Sequence, residues 1–161
     1  MAIFDGADLK TGSSSPRKMV ADFFAYEADL RNGAFVAAGD LTGDGIADLA
    51  FGGGPGGAPR VRVFDGHSLL NAGGFNTLDE IAGQAQVANF FAGGADPRGG
   101  VRLALKDATG DGKADLVAGS GEGEVSRVRV YEAGQVLAGS TTPDQQFDPF
   151  GGVLMNGVFV G

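Results

Sequence analysis

Two segments of nine residues place acidic side chains and glycine in the same order. Residues 40–48 read DLTGDGIAD, and residues 107–115 read DATGDGKAD. In both segments oxygen donors fall on alternate positions of a tight loop, and the seventh position offers its backbone carbonyl. The donors that this pattern predicts are Asp40, Thr42, Asp44, Ile46 and Asp48 in the first segment, and Asp107, Thr109, Asp111, Lys113 and Asp115 in the second. Oxygen donors that include three carboxylates suit Ca²⁺ better than zinc, so the sequence predicts two calcium sites.

The glycines and the charges of the two segments favour a cation. Gly45 and Gly112 allow a sharp turn after the fifth position, where a Cβ would be expected to clash. Three carboxylates this close repel one another unless a cation is present. The segments are not EF-hands, because the twelfth position holds Phe51 or Ala118 where an EF-hand has glutamate. Threonine at the third position predicts a modest affinity, and a cluster of Asx turns without an ion is the alternative interpretation.

The composition excludes several other kinds of site. The 161 residues include no cysteine and one histidine, which excludes disulfides, thiolate–zinc sites, cysteine nucleophiles and multi-histidine metal sites. A net charge of −8 argues against a nucleic-acid partner, and no apolar run is long enough to span a membrane. His67 is interpreted as a solvated turn residue, and no nucleophile elbow or phosphate loop accompanies it. We therefore expect no enzyme, although a glycosidase-type pair of acids stays open.

The two loops belong to a longer internal repeat with an offset of 67 residues, which also relates 23–24 to 90–91 and 60–64 to 127–131. The same unit recurs in truncated form at both ends, where 3–6 matches 63–66, and 147–161 matches 23–37 at an offset of 124. The chain has 30 glycines and no 3.6-residue period beyond one helical turn predicted at 77–81. The repeat therefore predicts an all-β fold of about two and a half units.

Each unit is predicted to contain four short strands, which we call inner, second, third and outer. The inner strands are predicted at 34–39, 101–106 and 157–161, the second at 48–52 and 115–119, the third at 2–4, 60–64 and 127–131, and the outer at 20–26, 87–91 and 145–150. The first inner strand is small or apolar almost throughout, which predicts cover on both faces. The alternating arginines and valines of the third strands predict one exposed face.

Four short strands in each unit indicate the blades of a β-propeller within a single domain. The predicted division is a partial blade at 1–33, full blades at 34–100 and 101–150, and a terminal inner strand at 151–161. The phenylalanine pairs at 23–24 and 90–91 are interpreted as core, with carbohydrate stacking as the alternative. The arginine pairs of the third strands are interpreted as a solvated or salt-bridged face, with contact to an anion or a partner as the alternative.

The loops and a second motif resemble the FG-GAP repeats of integrin α-subunit-like propellers and their bacterial relatives. Residues 51–59 read FGGGPGGAP, which matches the FG followed by GAP of that family, and the resemblance covers nearly the whole chain. The second unit keeps the loop but has GSGEGE at 119–124 in place of the motif. The resemblance implies that a calcium loop joins the first and second strands of each blade.

Two functions are expected from these features. The first is a calcium-binding propeller module for protein or glycan binding and adhesion, extracellular or at the cell surface, with calcium as a structural staple. The second is a self-assembling structural fragment with no ligand other than calcium. No signal peptide is visible, and the incomplete end units fit either a fragment of a longer propeller or chains that complete one another. We expect a homo-oligomer, such as a dimer that closes a ring.

Overall fold

The computed structural model describes residues 1–72 and 78–161, which fold into three antiparallel sheets. The strands of these residues are β1 (Ile3–Phe4), β2 (Lys18–Val20), β3 (Ala34–Gly39), β4 (Asp48–Gly53), β5 (Arg60–Phe64), β6 (Gln86–Phe91), β7 (Val101–Lys106), β8 (Asp115–Ser120), β9 (Val128–Tyr131) and β10 (Gln145–Phe147). The helices are α1 (Gly6–Lys10), α2 (Gly66–Asn71), α3 (Leu78–Gln84) and α4 (Ala133–Leu137).

Two of the sheets are four-stranded meanders in which each strand pairs with the next along the chain. The first has the order β3-β4-β5-β6 and the second β7-β8-β9-β10, while β1 and β2 form a small sheet of their own. Strand β7 pairs with β8 in the same register, 67 residues later, in which β3 pairs with β4. The two four-stranded antiparallel units that the repeat predicts are therefore confirmed in a mostly β fold, although the four helices of the described residues depart from the predicted all-β class.

The two ends of the chain differ from the prediction. Residues 157–161, expected as an inner strand, belong to no strand, because no neighbouring strand pairs with them. The outer strand predicted at 20–26 is wrong except at Val20, where β2 ends, and the one predicted at 145–150 already ends at Phe147 in β10, whereas β6 agrees with the predicted 87–91 to within one residue. The described residues form no closed ring of sheets, so closure of a propeller stays a prediction.

Helices α1, α2 and α4 are not anticipated by the sequence patterns. With five or six residues each, they are too short to show a 3.6-residue apolar period. A capping signal is nevertheless present, since the carboxylates of Asp5 and Asp65 accept hydrogen bonds from the backbone N–H groups of Ala7 and His67. The turn predicted at 77–81 is found as α3, except that residue 77 lies outside the described residues. Among the described residues, no helix has the length and apolar character to cross a membrane.

The two four-stranded sheets pack together through β7, which lies across β3 and β4. Val101 and Leu103 of β7 are buried in the main core at this junction. The contact requires glycine, because a Cβ at Gly52 would overlap the carbonyl oxygen of Val101. The same relation recurs one unit later, where a Cβ at Gly119 would overlap the carbonyl oxygen of Val158. Val158, near the end of the chain, thus packs on β8 in the same way as Val101 of β7 packs on β4.

The first inner strand is half-exposed, so the predicted cover on both of its faces is wrong. Ala34, Val36 and Ala38 of β3 are exposed, and Val36 keeps 56% of its surface. The equivalent of Val36 in the second unit is Leu103, which keeps 7% because β3 and β4 cover it. Within the described residues no inner strand packs on this face of β3 in the same way.

The third strands are more buried than their alternating pattern predicts. Arg62 and Arg129 keep only 3% and 6% of their surface. The Nε of Arg62 donates to Gln86 Oε1 at 2.8 Å, and that of Arg129 donates to Gln146 Oε1 at 2.9 Å. These partners on the outer strands replace water, so the predicted solvated face is wrong at both arginines.

The other predicted arginine and aromatic pairs divide between surface and core. Arg60 forms a salt bridge with Glu27 at 2.8 Å, as predicted for a salt-bridged face. Phe23 and Phe90 are buried, which confirms the core interpretation for one member of each pair. Their neighbours Phe24 and Phe91 keep 61% and 41% of their surface, so that interpretation is wrong for them.

Replacing Tyr131 with phenylalanine is expected to raise the free energy of unfolding by about 1 kcal/mol. The Tyr131 ring packs against Phe90 with centroids 5.1 Å apart, but its buried hydroxyl has no hydrogen-bond partner among the described residues. Burial raises the pKa of Tyr131 to about 12. The equivalent residue of the first unit, Phe64, fills its position without a hydroxyl. Urea unfolding provides the measurement, and the reverse change Phe64→Tyr should lower stability. Loss of stability in Tyr131→Phe would contradict this interpretation.

Candidate metal centre

The first predicted loop joins β3 to β4 and is held by hydrogen bonds to its own carboxylates. Asp40 Oδ1 accepts hydrogen bonds from the N–H groups of Gly43 at 2.6 Å and Asp44 at 3.1 Å, and its Oδ2 accepts one from Gly45 at 2.8 Å. Asp44 Oδ1 accepts a bond from Ile46 N–H at 2.8 Å. These backbone donors, Gly45 foremost, hold the pKa of Asp40 below its usual range.

The last donor position of the first loop, Asp48, is fully buried and ties the loop to a helix. Its Oδ2 accepts hydrogen bonds from Leu41 N–H at 2.8 Å and Thr42 N–H at 2.7 Å, while its Oδ1 accepts one from Gly66 N–H, at the start of α2, at 2.9 Å. Burial raises the pKa of Asp48, although these three N–H groups oppose the shift. The sequence pattern did not reveal this link between the loop and the helix.

The second loop, between β7 and β8, repeats this network except for the bond from the N–H of the fifth position to the first carboxylate. Asp107 accepts hydrogen bonds from Gly110 and Gly112 N–H, and Asp111 accepts one from Lys113 N–H. One oxygen of Asp115 accepts bonds from Ala108 and Thr109 N–H, and the other oxygen accepts one from Ala133 N–H. All of these bonds are 2.6–3.1 Å long. Asp115, like Asp48, is buried. Asp115 accepts a hydrogen bond from the first residue of α4, just as Asp48 accepts one from the first residue of α2.

The sharp turns predicted at Gly45 and Gly112 are present, with φ of 87° and 88°. The reason differs from the one expected, because a Cβ at either position would meet no atom within 4 Å. The left-handed backbone alone therefore favours glycine at these positions.

The oxygen donors of the two loops are of the kind that calcium prefers, but the loops do not present them as a preformed cage. Among the side chains that the structure describes, no group of three His, Cys, Asp or Glu is placed to hold a metal ion. The carboxylates instead accept hydrogen bonds from backbone N–H groups, as the Asx-turn interpretation predicts. A carboxylate has about four acceptor sites, however, and Asp44 uses one for the Ile46 N–H bond.

The hydroxyl oxygen of Thr42 is a predicted donor of the first loop whose hydrogen bonding is incomplete. It is buried and forms no hydrogen bond of normal geometry within the described residues, although it lies close enough to Asp48 to stabilise that carboxylate weakly. A buried polar atom without a partner costs free energy, which a bound cation would recover.

The two loops lie side by side. The N–H of Ala114 in the second loop donates to the backbone carbonyl of Asp40 in the first at 2.8 Å. A Cβ at Gly39 would lie 3.0 Å from the Cβ of Ala114. The close packing of the inner strands thus brings the two predicted donor sets into contact through the backbone.

An apolar cleft of about 460 Å³ lies at the other end of β4. Its lining includes Phe24, Leu30, Asn32, Arg60 and Phe91, together with glycines of the FGGGPGGAP segment. On its wall, the hydroxyl of Tyr26 lies 2.7 Å and 2.8 Å from the carbonyl oxygens of Phe51 and Arg60. Sequence reasoning missed the cleft, although Phe24 and Phe91 are equivalent positions of successive units.

The remaining candidate for chemistry, His67, is exposed in the first turn of α2 rather than in a turn. Comparison with family models, curated proteins and solved structures gives no match for this chain. The FG-GAP resemblance therefore rests on the motifs and the internal repeat.

Proposed function

We propose that the chain is a calcium-stabilised β-propeller repeat module of the FG-GAP type that acts in extracellular binding or adhesion. The observation that carries the proposal is the recurrence, 67 residues apart, of one donor sequence with one hydrogen-bond network. A chance acidic loop would not keep each carboxylate in the same bonded position twice. The five predicted donors of each loop, Asp40 to Asp48 and Asp107 to Asp115, would hold one ion apiece.

Contacts between successive units support the propeller architecture. Phe35, Arg102 and Phe159 hold the same position in three successive units. The ring centroids of Phe35 and Phe159 are 6.3 Å apart, and the Arg102 guanidinium lies 5.4 Å and 4.7 Å from them. In a straight array the first and third units would stay apart. Their contact favours units arranged around an axis.

Calcium would act as a staple in this architecture. When bound, it would neutralise the carboxylates of a loop and hold the end of an inner strand to the start of a second strand. Asp48 and Asp115 would pass that restraint to α2 and α4 through their bonds to Gly66 and Ala133.

Calcium is expected to raise the melting temperature, and each loop variant should remove part of the gain. With a Kd of about 0.1 mM, 1 mM calcium would stabilise the fold by roughly 1.4 kcal/mol per site, or about 3–6 °C. Asp44→Ala and Asp111→Ala should each remove part of the shift, and the double variant should remove all of it. Calorimetric titration with calcium chloride should give two ions for the wild type and one for each single variant.

The control is the same melting experiment in EDTA, with magnesium chloride as a second cation. Asp44 and Asp111 are exposed, so their variants should melt within a few degrees of the wild type there. A wild-type melting temperature that calcium leaves unchanged would leave the two loops as Asx-turn networks.

The cleft supports a binding role over a purely structural one. It combines exposed aromatic faces at Phe24 and Phe91 with the polar groups of Asn32 and Arg60, a mixture suited to a glycan or a peptide. Screening the immobilised chain against glycans and matrix proteins tests this role. Binding to none of them would favour the structural alternative.

One observation favours self-assembly as a second candidate function. Ala34, Val36 and Ala38 are exposed, whereas Val101 and Leu103, which occupy the positions of Ala34 and Val36 in the second unit, are buried by the unit before them. An apolar face of this kind would be covered in a homo-oligomer. Light scattering at high concentration should give a mass above one chain, and the mass of a single chain would count against self-assembly.

A further inference from the structure

Lys113 belongs to the second loop, but its side chain lies on the first. Its Cγ, Cδ and Cε atoms cover Gly43 so closely that a Cβ there would lie 2.7–3.2 Å from them. The next residue along, Ala114, donates its N–H to the Asp40 carbonyl at 2.8 Å. The side chain is therefore held over the first loop by packing and by the adjoining backbone bond.

The position of Lys113 makes the two loops chemically unequal. The equivalent residue of the first loop is Ile46, which carries no charge and lies near Gly66. The second loop thus offers the Lys113 carbonyl as its own seventh-position donor, while the ammonium of the same residue offsets negative charge in the neighbouring loop. A cation that enters the first loop has to work against this ammonium, since like charges repel.

We propose that Lys113 is a resident counter-ion of the first loop, which makes the two loops unequal calcium sites so that the second fills before the first. This inference rests on the proposed calcium function. The flexible stem of lysine lets the ammonium move aside when calcium enters, at the cost of its packing on Gly43. The first loop accordingly responds to higher calcium concentrations than the second.

The test is calorimetric titration of full-length variants with calcium chloride, one loop at a time. In Asp111→Asn only the first loop stays intact, and in Asp44→Asn only the second. The first loop is expected to bind about three- to tenfold more weakly than the second. Adding Lys113→Met to Asp111→Asn keeps the aliphatic stem but removes the charge, so the calcium affinity of the first loop should rise by about that three- to tenfold factor. Lys113→Gln serves as a second neutral variant. The matched control is Lys18→Met, which removes a lysine that pairs with Asp22 instead.

The outcomes separate this inference from the function on which it rests. If the wild type binds no calcium, the calcium function fails and the counter-ion role fails with it. If both loops bind calcium but neither Lys113 variant strengthens the first loop, or Lys18→Met strengthens it equally, the counter-ion role is overturned while the calcium function stands. A gain confined to the first loop in the Lys113 variants supports the proposal.

Discussion

Replacing Asp48 with alanine is expected to lower the free energy of unfolding by about 3 kcal/mol or more, even in calcium-free buffer. The carboxylate accepts hydrogen bonds from Leu41, Thr42 and Gly66, and it is fully buried. Alanine leaves these three N–H groups without their acceptor and releases α2 from the loop. A loss of this size lowers the melting temperature by roughly 10 °C in a chain of this length. Urea unfolding in EDTA measures it.

The matched control for that experiment is Asp44→Ala in the same buffer. Asp44 is exposed and accepts one hydrogen bond, from Ile46, so its loss should cost under about 1 kcal/mol. The difference between the two variants separates a structural carboxylate from one whose main use would be to bind calcium. Equal stabilities for the two variants would contradict the role assigned to Asp48.

Replacing Gly52 with alanine is expected to cost about 2–4 kcal/mol, because the two four-stranded sheets would no longer fit together. The added methyl group would overlap the Val101 carbonyl and lie 3.1 Å from Leu103 Cγ, so β7 would have to move off β4. In Gly119→Ala the clash falls on Val158 instead. There the amide of Val158, which donates to the Ser120 carbonyl, should exchange with solvent much faster than in the wild type.

Gly134→Ala is the control for the glycine variants. Gly134 lies in α4, where a Cβ would meet no atom within 4 Å, so alanine should be neutral or stabilise by up to about 1 kcal/mol. Unfolding in urea and hydrogen exchange measure all three variants. If Gly52→Ala were as stable as Gly134→Ala, the packing of β7 on β4 would differ from the one described.

The repeat made the strands next to the two loops predictable. Each loop motif fixes where an inner strand ends and a second strand begins, so the bounds of the inner strands β3 and β7 agree with the prediction to the residue. The bounds of the third strand β5 also agree, because its alternating arginines and valines mark it. Residues 157–161 show the limit of this reasoning. They have the composition of an inner strand, but a strand exists through its hydrogen-bonded neighbour, and none pairs with them.

The loops that carry the candidate site were predictable from the sequence, but their hydrogen bonds were not. The spacing of Asp40 and Asp48 predicted that both lie in one loop, whereas the bond from Gly66 N–H to Asp48 spans 18 positions of the chain. Arg62 was misjudged for a similar reason, because its partner Gln86 lies on another strand. In each case a distant partner, which a local pattern does not contain, decides how the polar group is satisfied.

The stack of Phe35, Arg102 and Phe159 also bears on how an array of such units would grow. Side chains from the first and third units meet at the Arg102 guanidinium of the second. In the proposed propeller this contact would lie towards the axis, so successive units would form an arc and each further unit would increase the bend. Such an array would limit its own size rather than extend as a straight fibre, which would protect a chain with an exposed apolar strand face from open-ended aggregation.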